Sequence, residues 1–287
     1  MVISDVFISY SRKDSQFVET LNNGLVSGGK KVWIDWKDIP YSSKWWDEIS
    51  HAIEGTSTFI CILSPDYFES KTCNDELVIA EKLNKRIIPT LYKEFEPTAN
   101  NSNSISKINW VHFTARDDFS KSLSSLMDTI NKDLDWVRFH TRLLVRALEW
   151  SNKKNDSSYH LYGQDLQEAQ SFQKNEANKQ PMLNTLQKNY IEASQSGAAK
   201  LQRKQLRGFY IAALIYSIVQ MFVIYIWSEQ DLSETAMVKL SWVWLPALAF
   251  GIAGLTLGRY SIKRALIAMG VVMVLFFLFF KLLWSYL

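Results

Sequence analysis

The stretch SKTCNDELVIAEKL (70–83) carries one carboxylate whose setting could do chemistry, Glu76. Leu77, Ala80 and Leu83 recur at helical spacing and would face a core, which puts Glu76 in the first turn of a helix beside a loop. Two readings stand side by side there. An acid at a helix start is stabilised by the dipole and needs no further role, or it is a group that reacts. No competing constellation is present in the sequence: no Ser-His-Asp or Cys-His arrangement is evident, and His51, His112, His140 and His160 are scattered without ligand spacing, so no metal site is expected. Cys61 and Cys73 make no disulfide framework and fit a reducing compartment. Cys73, with nothing nearby to activate a thiolate, reads as a small packing residue.

The elements that must position Glu76 alternate. Strands are predicted at 2–9, 31–35, 57–64 and 86–92, with a weaker one at 109–113. Helices are predicted at 14–29, 43–55, over the Glu76 segment and at 117–131. Alternation at these lengths implies an α/β domain with a parallel sheet covered on both faces. Ligands of such sheets sit at the carboxyl ends of the strands. Here those ends are 9–11, 35–41 and 64–70, and Glu76 lies on the same edge.

Three segments stand in order, DVFISYSRKD at the start, VWIDWKDIPYSSKWWDEI at and after the second strand, and ILSPDYFESKTCNDEL at and after the third. They resemble the three signature boxes of bacterial TIR (Toll/interleukin-receptor) domains, and the resemblance covers about 1–130. It implies a flavodoxin-like fold. It also implies one of two functions, since TIR domains divide into self-assembling adaptors and enzymes that cleave NAD+ at the nicotinamide–ribose bond. In the enzymatic members the acid of the third box is catalytic, which falls on Glu76. The resemblance places nucleotide contacts at Phe7, Ser9, Tyr10, Ser11 and Arg12, at Trp33 and Asp35 on the second strand, and at Ser70 and Cys73. Phe7 reads equally as core, and Arg12 suits a phosphate. The loop from Asp38 to Trp46 corresponds to one that shapes the pocket and mediates TIR–TIR contacts. Trp45 and Trp46 themselves read as helix packing ahead of stacking on a ligand. One position departs from the pattern: many active bacterial members have Trp before the Cys of the third box, where Thr72 stands here.

The lone carboxylate is chemically sufficient for that reaction. An ordinary glycoside needs a second acid to protonate the leaving oxygen. Nicotinamide leaves a cationic ring as a neutral molecule, so one carboxylate facing the ribose is enough. NAD+ is then a substrate, and no cofactor is expected.

The chain of 287 residues is 47% hydrophobic and 14% aromatic, and its halves differ. After 1–131, a stretch at 132–208 reads as a helical linker, with Trp136, Val137, Leu143, Leu144, Ala147 and Leu148 on one side of an amphipathic helix. From 209 charge nearly vanishes. The run 209–227, at about 1.5 Å per residue, is roughly 28 Å long, enough for a bilayer core, and 241–258 and 265–287 read as two more spans. Trp227, Trp242, Trp244 and Trp284 fall near the ends, as in an interfacial belt. Lys200, Arg203, Lys204 and Arg207 precede the first span, and Arg259, Lys263 and Arg264 separate the second and third. By the positive-inside rule the first domain is cytoplasmic and the C-terminus outside. Gly254 and Gly258 form a GxxxG that favours close helix contact, within one chain or between chains. The run at the N-terminus is too short and lacks the basic flank of a signal peptide. A net charge of +3, dispersed, does not point to nucleic acid.

These readings combine into an expectation: a multi-pass inner-membrane protein with a cytoplasmic, flavodoxin-like TIR domain, a helical linker and a three-helix transmembrane region. It would self-associate, bind NAD+ and hydrolyse or cyclise it, in signalling for antiphage defence. The alternative is a non-enzymatic assembly protein whose spans are the effector.

Overall fold

The structure is a computed structural model, and it describes residues 4–34, 45–95 and 105–228. Five strands, β1 (Ser4–Ser9), β2 (Val32–Trp33), β3 (Thr56–Leu63), β4 (Arg86–Leu91) and β5 (Val111–His112), form one sheet in the order β2-β1-β3-β4-β5. Every pairing is parallel, with Phe7 beside both Trp33 and Phe59, and Ser9 beside Cys61. This is the doubly wound, flavodoxin-like order, and its switch point falls between β1 and β3. All eight residues of the central β3 are buried, as expected where helices cover both faces.

Helices α1 (Ser15–Ser27) and α5 (Phe119–Asn131) cover one face, packing over Val6, Ile8, Ile60 and Ile62. Gly24 permits their close approach: a Cβ there would lie 2.7 Å from Leu123 Cδ2. On the other face α2 (Trp45–Gly55), α3 (Pro65–Glu69) and α4 (Lys71–Lys82) pack over Phe7, Phe59, Cys61 and Leu63. The ends of α1 and α4 are set locally. Gly29 (φ 78°) stops α1, with Lys30 N–H donating to the Leu25 carbonyl. Asn84 (φ 51°) stops α4, with Lys85 N–H donating to the Ala80 carbonyl.

The chain divides into two compact units, 1–195 and 196–287. The stretch that the sequence presents as a linker after 131 therefore belongs, up to Gln195, to the unit that holds the sheet. Its helix α6 (Leu134–Asn152) buries Trp136, Val137, Phe139, His140, Leu143, Leu144 and Ala147. It contacts the start of β3, where Thr141 Oγ1 donates to the Thr56 carbonyl at 3.2 Å. Helix α7 (Gly163–Lys174) packs Phe172 against Phe139, ring centroids 3.7 Å apart. The amphipathic pattern is thus satisfied inside the first unit.

Helix α8 (Thr185–Ser228) begins in the first unit, where Gln187 Nε2 donates to the His140 carbonyl. In the second unit Lys200, Arg203, Lys204 and Arg207 are exposed on it. Of the three apolar runs, 241–258 and 265–287 lie outside the described residues. The run 209–227 falls in the last part of α8, where most side chains likewise lie outside those described. Among the described residues no helix is long and apolar enough to cross a membrane.

Candidate active site at the β1–β3 crevice

Glu76 owes its position to the start of α4. Ser70 caps that helix, its side chain accepting from Cys73 N–H at 3.3 Å. The helix begins at Lys71, so Glu76 sits in the second turn and the first turn holds no acid. This corrects the sequence expectation of a first-turn acid. The cap at Ser70 lies several residues upstream of the apolar stripe, so periodicity alone placed the helix start too late. The unsatisfied N–H groups that stabilise a helix-start acid are confined to the first turn. That explanation is therefore removed.

Glu76 instead shares the inward stripe of α4 with Cys73, Leu77 and Ala80, and is only 5% exposed. A carboxylate at a core position demands a partner. Ser9, at the carboxyl end of β1 and 1% exposed, donates to Glu76 Oε2 at 2.5 Å. Ser9 Oγ also lies 3.3 Å from the Tyr67 hydroxyl, which in turn lies 3.5 Å from the Cys73 carbonyl oxygen. Burial raises the Tyr67 pKa well above the usual phenol value, so Tyr67 stays a neutral donor. Its place is set by α3, where Ser64 caps and Pro65 opens the helix. The resulting chain of side chains joins β1, α3 and α4 at one point.

In front of Glu76 opens a cleft of about 520 Å³, lined by Ile8, Tyr10, Ser11, Arg12, Lys13, Trp45, Ser70, Thr72, Cys73 and Glu76. Arg12 and Lys13 are exposed on its wall, in the 3₁₀ turn after β1. Lys13 is anchored by Asp66 at 2.5 Å, whose hydrogen bond raises the Lys13 pKa. A second tie at this edge is Asp14, buried, which accepts from Ser64 Oγ at 2.5 Å and Lys93 Nζ at 2.6 Å. It links the ends of β1, β3 and β4.

Six of the residues expected to form the site, Tyr10, Ser11, Arg12, Ser70, Cys73 and Glu76, therefore line one cleft. Ser9 lies behind Glu76 and holds it. Phe7 and Trp33 are core residues: Phe7 is 1% exposed and stacks between Trp33 (4.7 Å) and Phe59 (5.3 Å). Phe7 shares the face of Ser9 but lies one step deeper along the strand. Asp35 is outside the described residues. Cys61 is buried in the sheet, where burial pushes its thiol pKa up and away from reactivity. Sequence spacing did not single out Tyr67, whose only signal is its place after the Ser-Pro cap. The resemblance put the loop from Asp38 to Trp46 at the pocket, while Trp45 and Trp46 themselves read as helix packing. Trp46 packs against the core, whereas Trp45 is 41% exposed on the cleft wall. Among the described residues no cluster of His, Cys, Asp and Glu could hold a metal.

The family model of the TIR domain matches residues 6–127, and this part of the chain is a TIR domain. Solved structures similar to the chain include the TIR domain of the Toll-related receptor TRR-2 from Hydra magnipapillata. It shows 26% identity over 44% of this chain and 98% of its own, with a TM-score of 0.40. The TIR domains of the activated Roq1 resistosome, which directly recognises the pathogen effector XopQ, show 21% identity over 44% of this chain and 99% of theirs, TM-score 0.38. A TIR-STING receptor from C. gigas, in complex with 2′,3′-cGAMP, shows 19% identity over 45% of this chain and 39% of its own, TM-score 0.38. No curated protein matches the chain.

Proposed function

We propose that this protein is a membrane-anchored TIR effector that self-associates and cleaves NAD+ at the nicotinamide–ribose bond, in bacterial antiphage immunity. The observation that carries the reading is Glu76, a buried carboxylate on the inward stripe of α4, held by Ser9 and opening on a cleft at the switch point of the sheet. In the proposed reaction the C1′–N bond breaks and its electron pair passes to the pyridinium nitrogen, which leaves as neutral nicotinamide. Positive charge develops on the ribose and the Glu76 carboxylate stabilises it. Water, or a group of the nucleotide itself, adds at C1′ and releases a proton. Arg12 and Lys13 on the wall suit the diphosphate.

The membrane part of the reading rests on the three apolar runs and the flanking basic residues, with the TIR domain on the cytoplasmic side where NAD+ is found. Thr72, a small residue on the cleft wall, favours a second reading, a non-enzymatic assembly module whose spans are the effector. One experiment separates them: nicotinamide release by full-length protein in lipid vesicles, beside Glu76→Gln. Release that vanishes in the variant is expected. A well-inserted wild type that releases none under dense reconstitution rejects the enzymatic reading.

A further inference from the structure

Among its described residues the cleft is lined by one exposed aromatic side chain, and it is not at the position before the Cys of the third box. Thr72 offers no ring, and Tyr10, at 7% exposed, packs its ring into the core between the sheet and α1. Trp45 lines the same cleft with 41% of its surface in solvent, a large apolar area left uncovered at the first position of α2. The neighbouring Trp46 packs against the core, its ring centroid 5.6 Å from that of Trp45 at 48°.

We infer that Trp45 is the platform on which the pyridinium ring of NAD+ stacks, which sets the C1′–N bond before Glu76. This rests on the NAD+-cleavage reading. Chemistry selects the nicotinamide end over the adenine end. The bond to be broken joins the ring directly to the carbon that faces Glu76, so the ring must occupy the cleft that holds both residues. The ring carries a positive charge, for which indole is the best aromatic face. The guanidinium and ammonium of Arg12 and Lys13 suit the diphosphate and repel that ring. Trp45 is a positioning residue in this scheme, and it discriminates NAD+ from NADH, whose dihydropyridine ring is neutral.

The test uses full-length protein in vesicles on a Glu76→Gln background, where the ligand stays intact. Equilibrium binding of NAD+, NADH and ADP-ribose is measured with Trp45 present, with Trp45→Ala and with Trp45→Phe. Loss of one stacked ring should weaken NAD+ binding about 5- to 150-fold in Trp45→Ala. ADP-ribose, which lacks the ring, should change less than about twofold, and Trp45→Phe should recover most of the NAD+ affinity. NAD+ should bind more tightly than NADH only when residue 45 is aromatic. Unchanged NAD+ binding in Trp45→Ala overturns the inference, as does equal loss for NAD+ and ADP-ribose, or no NAD+ binding with Trp45 in place. Nicotinamide release by the wild type is read separately. Turnover with Trp45-independent binding rejects the platform alone, and Trp45-dependent binding without turnover rejects cleavage alone.

Discussion

Replacing Ser9 by Ala removes one hydroxyl and separates two accounts of the same residue. As a nucleotide contact, which the resemblance implies, Ser9 would act on substrate affinity. The geometry gives it a different role, since it is 1% exposed, sits behind the cleft and donates to Glu76 Oε2 at 2.5 Å. A hydrogen bond to a buried charged group contributes about 1.5–3 kcal/mol. Loss of this tie frees Glu76 from its set position on the cleft, and with that cost falling on the transition state and not on the ground state, kcat drops by about 10- to 150-fold. KM should stay within about twofold, because Ser9 does not line the cleft. The assay is nicotinamide release at saturating and limiting NAD+, with Glu76→Gln as the inactive reference. A variant with raised KM and unchanged kcat would refute the positioning argument and restore Ser9 as a substrate contact.

Two other outcomes are expected. His140 lies buried on α6, where burial first and the Lys85 charge second push its pKa down to about 3. Below pH 6.5 the unfolded chain takes up a proton that the folded chain refuses until about pH 3, so stability falls with pH across that window. The contribution is of the order of 2–3 kcal/mol at pH 4.5, and the thermal midpoint of His140→Phe should fall less steeply than that of the wild type between about pH 6.5 and 4.5; parallel curves would refute it. If TIR self-association completes the site, specific activity in vesicles should rise steeply with protein density. A flat response across densities, with insertion verified by flotation, would count against clustering as the switch.

By itself the sequence determined the alternation of strands and helices, the three boxes along β1, β2 and β3 and the segments that follow them, and the choice of Glu76 as the residue to watch. These are local properties: periodicity, caps and turn chemistry written in neighbouring residues. The ends of α1 at Gly28–Gly29 and of α4 at Asn84 are of the same kind. Tertiary structure decided what faces what. In β1, VFIS is apolar on both faces because helices cover both, so no alternation reveals that Ser9 points towards Glu76 while Phe7 lies in the core beneath it. The Ser9–Tyr67–Glu76 grouping joins residues 58 and 67 positions apart, a proximity that exists only once β1 and β3 pair. The stripe on α6 announced a buried face without naming its partner. Only the fold supplied the partner, the amino end of β3, and with it made residues to 195 one unit with the sheet.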